Sequence, residues 1–251
     1  MHRHAAAKTS LALFAAIFTI GGASSIAFAQ EGEARPGATV PPLAMKVEWV
    51  RPANQADTKM RYVPVQENIG DASVLITYYG AGAKQVLTTG APGNTVTPYG
   101  IWSGTAETPF AMTFKLKNGN SMDLTGLASI RWWTKTSGFH VVRPVVKVGG
   151  TLFVGDVGFS SVTKLAVSKF SLTNVRWIKL DPAKLITLNS GRAAVNPNGD
   201  IWAPNVDLSK VEEFGFVDLM PGSGHGTGGW IQLGDIEVFA KTAARTTSAS
   251  N

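Results

Sequence analysis

Cysteine is absent from all 251 residues. That excludes a disulfide framework, thiolate metal sites and a lipid-modified cysteine anchor. Histidine is scarce: His2 and His4 sit at the start, leaving His140 and His225 for the body of the chain. Two imidazoles cannot build a histidine-rich metal site, although His225 could join acids. Charged residues make up only 16 % and form no Lys/Arg-rich block, so the footprint of a nucleic-acid binder is missing. No apolar run approaches the roughly 20 residues that a membrane span needs. No serine sits in a Gly-x-Ser-x-Gly turn, and "GSGHG" around Ser223 lacks the Lys and helix of a phosphate cradle. Amphipathic helices are lacking as well, the best stretch, "DPAKLITL", giving one or two turns at most. A chain with these absences must be held by its apolar core, aided at most by a hard cation on oxygen ligands.

The N-terminus supplies the first positive signal. "MHRHAAAK" carries Arg3 and Lys8, an apolar run follows over Leu11–Ile20, and "AFA" precedes Gln30. This pattern predicts a signal peptide over residues 1–29, cut after Ala29, and therefore a periplasmic or secreted protein. Loss of Arg3 and Lys8 lowers the net charge from +6 to +4. That mild excess suits an acidic polysaccharide or an anionic envelope surface, and equally an ordinary soluble one. Residues 30–42, with Gly and three Pro, read as a flexible leader, and 241–251 as a disordered tail. One folded domain is expected over 43–240, a size that all-β units commonly reach.

Within it, Gly, Pro, Asn and Asp punctuate short runs rich in Val, Ile, Thr and aromatics, the pattern of an antiparallel all-β fold. The predicted strands are "AMKVEWVR", "SVLITYYG", "FAMTFKLK", "SIRWWTKT", "FHVVRPVVKV", "TLFVG", "VRWIKLD", "EEFGFVDL" and "GWIQLGDIEVFA". In "SIRWWTKT" period-2 alternation places Ile130 and Trp132 on one face and Arg131, Trp133 and Lys135 on the other. One phrase occurs twice: Asp-Leu-Thr at Asp123 and Asp-Leu-Ser at Asp207, each leading into a hydrophobic run. Asp and Ser/Thr side chains close turns by bonding nearby N–H groups, so each phrase reads as turn, buried leucine and strand.

The order "DLTGLASIRWWTKTSG", "FHVVRPVVKV", "TNVRWIKLDPAKL", "VDLSKVEEFGFVDL", "GGWIQLGDIEVFA" resembles the galactose-binding-like β-sandwich superfamily, and within it carbohydrate-binding modules and complex I intermediate-associated-protein-like domains. The resemblance covers 123–240 closely and 43–122 loosely. It implies a jelly-roll of two antiparallel sheets, often with a structural calcium and often with glycan bound on one face or in edge loops. The Gly-rich stretch 220–229 departs from it. At the last strand the resemblance implies calcium ligands at Asp235 or Glu237.

Three functions remain open. Seven tryptophans offer stacking surfaces for sugar rings. Trp133, flanked by Arg131 and Lys135, is the platform candidate, with Trp102, Tyr99 and Trp202 as loop aromatics that could contact glycan. A non-catalytic carbohydrate-binding protein, its ligand a glycan of acidic type, is the leading expectation. A polysaccharide hydrolase or lyase is the second. Its nearest motif is "LGDIEVF", where Asp235 and Glu237 share a face but Leu233 stands where a first Glu would be needed. Glu212 and Glu213 are adjacent and would point to opposite faces. An envelope assembly protein holding a protein partner is the third.

Overall fold

A computed structural model describes residues 39–181, 202–219 and 229–245. The expected signal peptide, most of the leader, the turn over 182–188, His225 with the Gly-rich stretch 220–228, and residues 246–251 lie outside the described residues. The strands are β1 (Leu43–Val47), β2 (Val74–Tyr79), β3 (Leu87–Thr89), β4 (Gly100–Trp102), β5 (Phe110–Leu116), β6 (Ser121–Asp123) and β7 (Ser129–Gly138). They continue with β8 (Arg143–Val148), β9 (Thr151–Gly155), β10 (Ala166–Phe170), β11 (Trp177–Leu180), β12 (Glu213–Asp218), β13 (Gly229–Phe239) and β14 (Lys241–Ala243). Among the described residues no helix is long and apolar enough to cross a membrane.

Two six-stranded sheets face each other. The first runs β10-β7-β13-β4-β3, with β1 also paired to β13, and the second runs β11-β9-β8-β12-β5-β2. Every ladder between named strands is antiparallel. The chain is thus an all-β sandwich of jelly-roll type. β7 lies along one edge of β13, while β4 and β1 share the other edge on either side of a bulge between Leu233 and Ile236. Gly234 sits in that bulge, where a strand glycine marks a local bend.

Alternation fills the space between the sheets. The first sheet sends in Ile101, Ile130, Trp132, Ile231, Leu233, Ile236 and Val238; the second sends in Phe110, Met112, Phe114, Val146, Phe214 and Phe216. Trp132, 0 % exposed, is the hub, with the rings of Phe170, Phe159 and Phe214 at 4.8, 5.0 and 6.2 Å. Burial of each such side chain stabilises by about 1.5–3 kcal/mol, and in the absence of disulfides these terms must outweigh the chain entropy.

The doubled phrase has a tertiary meaning. Asp123 accepts from the N–H and hydroxyl of Thr125, and Asp207 accepts from the N–H and hydroxyl of Ser209. The two turns then lie against one another. The N–H of Leu124 donates to the carbonyl of Leu208 at 2.8 Å, and Met122 and Val211 exchange a pair of backbone bonds. Leu124 and Leu208 are both buried beneath the turns. Both aspartates are therefore architectural.

The start of the stretch expected as a tail is a strand instead. Lys241–Ala243 form β14 on β6, with Ser121 Oγ donating to the carbonyl of Ala243. The small polar composition of this stretch conceals a ladder made entirely of backbone.

Candidate functional site

The outer face of the first sheet collects aromatic rings and cations. On β7, Arg131, Trp133, Lys135 and Ser137 point outwards and are half-exposed, while Ile130, Trp132, Thr134 and Thr136 are buried. Directly opposed residues in an antiparallel ladder share a face. Register places Trp230 opposite Ser137, Gln232 opposite Lys135, and Glu237 opposite Arg131. Gln232 is also opposite Trp102 of β4. Trp102, Trp133 and Trp230 consequently stand on one face, carried by three neighbouring strands.

Each of these indoles carries its own cation. Arg61 lies over Trp102 at 4.4 Å, Arg131 over Trp133 at 4.9 Å, and Lys135 Nζ over Trp230 at 5.8 Å. Such pairs are worth about 0.5–1 kcal/mol at exposed positions. The Trp102 ring folds onto Gly104, where a Cβ would stand 1.7 Å from it, so only glycine permits this pose. Arg131 is also ion-paired with Glu237 at 2.6 Å, and that hydrogen bond raises its pKa above the ordinary guanidinium value.

Arg131, Trp133, Lys135 and Trp102 thus come together, with Trp102 on a short strand rather than in a loop. Tyr99 does not join them. It is 3 % exposed, and its hydroxyl lies in a buried network with Gln55 and Asn68. Three polar groups converging beneath the sheet draw the ring inwards. Trp202 lies elsewhere as well. It bridges to Ile178 on β11, beneath Arg176 at 4.2 Å, and packs on the outer side of the second sheet. Trp230, Gln232 and Arg61 join the face although the sequence does not single them out as candidates. The alternation of "GWIQLG" carried a signal for the first two, and Arg61 had none.

The two expected calcium ligands are otherwise engaged. Glu237 pairs with Arg131, and the half-buried Asp235 accepts from the Trp49 N–H at 3.3 Å. Burial, with the nearby Glu48 carboxylate, pushes the Asp235 carboxyl above its usual range despite that N–H bond. Among the described residues no three acids or histidines converge on a point. Calcium needs six to eight oxygens and would have to compete with Arg131 for Glu237 here.

Two further polar clusters lie largely buried and paired within themselves. His140 Nδ1 lies 2.7 Å from the Asp218 carboxylate, with Ser103 Oγ 3.5 Å from the same oxygen. The carboxylate, not the imidazole, stands between the other two, so the ring cannot take the serine proton as a nucleophile triad requires. On the outer side of β12, Glu213 accepts from Tyr79 and Thr113 and pairs with Lys147 at 3.0 Å. Burial would raise its pKa, but the bonds from Thr113 and Lys147 prevail and hold it below the usual range.

No protein-family model matches this chain, and no curated protein matches it in sequence. Solved structures do align with it. One is the family 11 carbohydrate-binding module of the cellulosomal cellulase Lic26A-Cel5E of Clostridium thermocellum, at 11 % identity and a TM-score of 0.39, over 71 % of this chain and 92 % of the module. Another is TmCBM61, solved in complex with beta-1,4-galactotriose, at 11 % identity and a TM-score of 0.28, over 68 % of this chain and 90 % of that one.

Proposed function

We propose that this chain is an exported, non-catalytic carbohydrate-binding protein that holds a glycan on the outer face of its first sheet. One observation carries the proposal: Trp102, Trp133 and Trp230 share that face, each beside a cation. Indoles stack on the C–H faces of sugar rings and lose little conformational entropy in doing so. The cations orient hydroxyls and acidic groups. A hydrolase would need two carboxylates flanking a bond, one of them free to act as base or nucleophile. On this face Glu237 is held by Arg131, which supports binding over hydrolysis. The test is affinity electrophoresis or calorimetry against a panel of plant, algal and bacterial polysaccharides. Trp133→Ala is expected to weaken binding by about 1–3 kcal/mol with an unchanged circular dichroism spectrum. A folded Trp133→Ala protein with unaltered affinity would remove this face from consideration.

A further inference from the structure

The outer face divides into two halves that differ in charge balance. Around β1 the cations are neutralised: Arg131 lies 2.6 Å from Glu237, and Lys46 lies 2.7 Å from Glu48. Around β4, Arg61 and Lys135 have no carboxylate partner among the described residues and face indoles instead. Register sets Lys135, Gln232 and Trp102 in one row across β7, β13 and β4, a width of about 10 Å at the usual strand spacing. Arg61 closes the row from above Trp102. Its backbone is fixed beside β3, because the Tyr62 N–H donates to Thr88 Oγ1 at 3.1 Å and the Thr88 N–H donates to the Tyr62 carbonyl at 2.7 Å.

A cation resting on an exposed indole gains little, whereas a charge-assisted bond to an oxyanion is among the stronger polar contacts. An anionic group arriving between Arg61 and Lys135 would therefore draw both cations off their rings. The face of Trp230 would then lose its cation and meet the sugar that carries the anion, and the Trp102 side turned to Arg61 would do the same. Gln232, between them, has an amide to donate to the same group.

We propose that Arg61, Lys135 and Gln232 form a subsite for the oxyanion substituent of an acidic polysaccharide, a uronate carboxylate or a sulfate ester, with Trp102 and Trp230 taking the sugar ring. The subsite rests on the glycan-binding reading and sharpens it. It moves the acid-reading role away from Arg131, which Glu237 already neutralises, and onto Arg61.

Calorimetry with four polymers tests it: polygalacturonate for carboxylate, dextran sulfate for sulfate, and unsubstituted dextran and galactan as neutral ligands. Arg61→Ala and Lys135→Ala are each expected to weaken binding of the matching acidic polymer about tenfold. They should flatten its salt dependence, weaken any neutral binding markedly less, and lower the melting temperature by only a few degrees at most, as loss of one exposed cation–π pair requires. Arg131→Ala should cost less than either. Lys179→Ala, on the opposite sheet, controls for general attraction to polyanions and should cost nothing. Whichever acidic polymer responds identifies the oxyanion. Equal losses for acidic and neutral polymers, or an equal loss from Lys179→Ala, overturn the subsite and leave glycan binding intact. A parent protein that binds only neutral polymers overturns it in the same way. A parent that binds none of the four, nor any polysaccharide of the wider panel, overturns the glycan reading and the subsite together.

Discussion

On the first sheet, the outward positions of β7 are Arg131, Trp133 and Lys135; on the second, those of β12 are Glu213, Gly215 and Val217. The alternation is the same and its products differ. The second outer face is closed over. Ala111, Val145, Val154, Ile178 and Val217 are buried there, with Tyr79 and Trp202 packed against them. A carboxylate persists in that setting only because Tyr79, Thr113 and Lys147 satisfy it. On the first face the charges stand at the water boundary, where partners exchange at low cost. A covered face and an open face can thus be told apart by which polar groups are already satisfied.

The largest expected effect separates neighbours in one strand. Trp132→Ala should destabilise by about 3–5 kcal/mol through the cavity left among Phe159, Phe170 and Phe214. Trp133→Ala, one residue along and on the other face, should cost about 1 kcal/mol or less. Urea titration of the two variants measures both, and equal costs would erase the distinction between inside and outside.

Next comes Glu213→Gln, expected to cost about 1–3 kcal/mol at neutral pH, because Lys147 loses its partner in a half-buried setting. Folding lowers the pKa of Glu213, so its contribution is complete above the unfolded carboxylate range and fades as pH falls through the folded value. The gap between parent and variant should therefore narrow on acidification, as followed by thermal melts from pH 7 downwards.

Asp235→Asn should act in the opposite sense. Folding raises this carboxyl's pKa, so its ionisation works against the native state at neutral pH. The amide oxygen can still accept from the Trp49 N–H. A rise in Tm of about 1–3 °C is expected at pH 7. The gain should vanish below the unfolded carboxylate range, where the parent is protonated too. The smallest effect concerns calcium: with Glu237 held by Arg131, melting temperatures in excess calcium and in chelator should coincide. A rise in calcium would show that Asp235 and Glu237 recruit ligands beyond the described residues.

The long strands were legible because six or more residues repeat the period-2 pattern several times. β7 is the clearest case, with Ile130 and Trp132 inside and Arg131, Trp133 and Lys135 outside, as alternation requires. β3, β4 and β6 span three residues each, too few for a repeat, and β4 is embedded in "YGIWSG", whose glycines read as loop. That is why the sequence reads Trp102 as a loop residue. Tyr99 looked like its exposed companion because nothing local records the buried amides of Gln55 and Asn68, 44 and 31 residues away. Arg61 was invisible for a similar reason, since its position follows from Thr88, in a strand too short to recognise. The aspartate phrases read as turns from their own residues; their contact with each other is tertiary, and no window of sequence contains it.

The pairing of the first strand with the last long one has a mechanical consequence. Leu43 stands opposite Phe239, and the Ala240 N–H donates to the Pro42 carbonyl, so the chain enters and leaves this sheet at one corner. Traction applied across that corner would first peel β14 from β6, then open the β1–β13 ladder one rung at a time from its end. Such unzipping offers far less resistance than shear, in which all rungs are loaded together. A load delivered by a polymer held on Trp133 would instead enter β7, which is braced by β10 on one side and β13 on the other. The domain should be strong when loaded through β7 and weak where its ends are pulled apart, a contrast that single-molecule stretching through two different attachment points can measure.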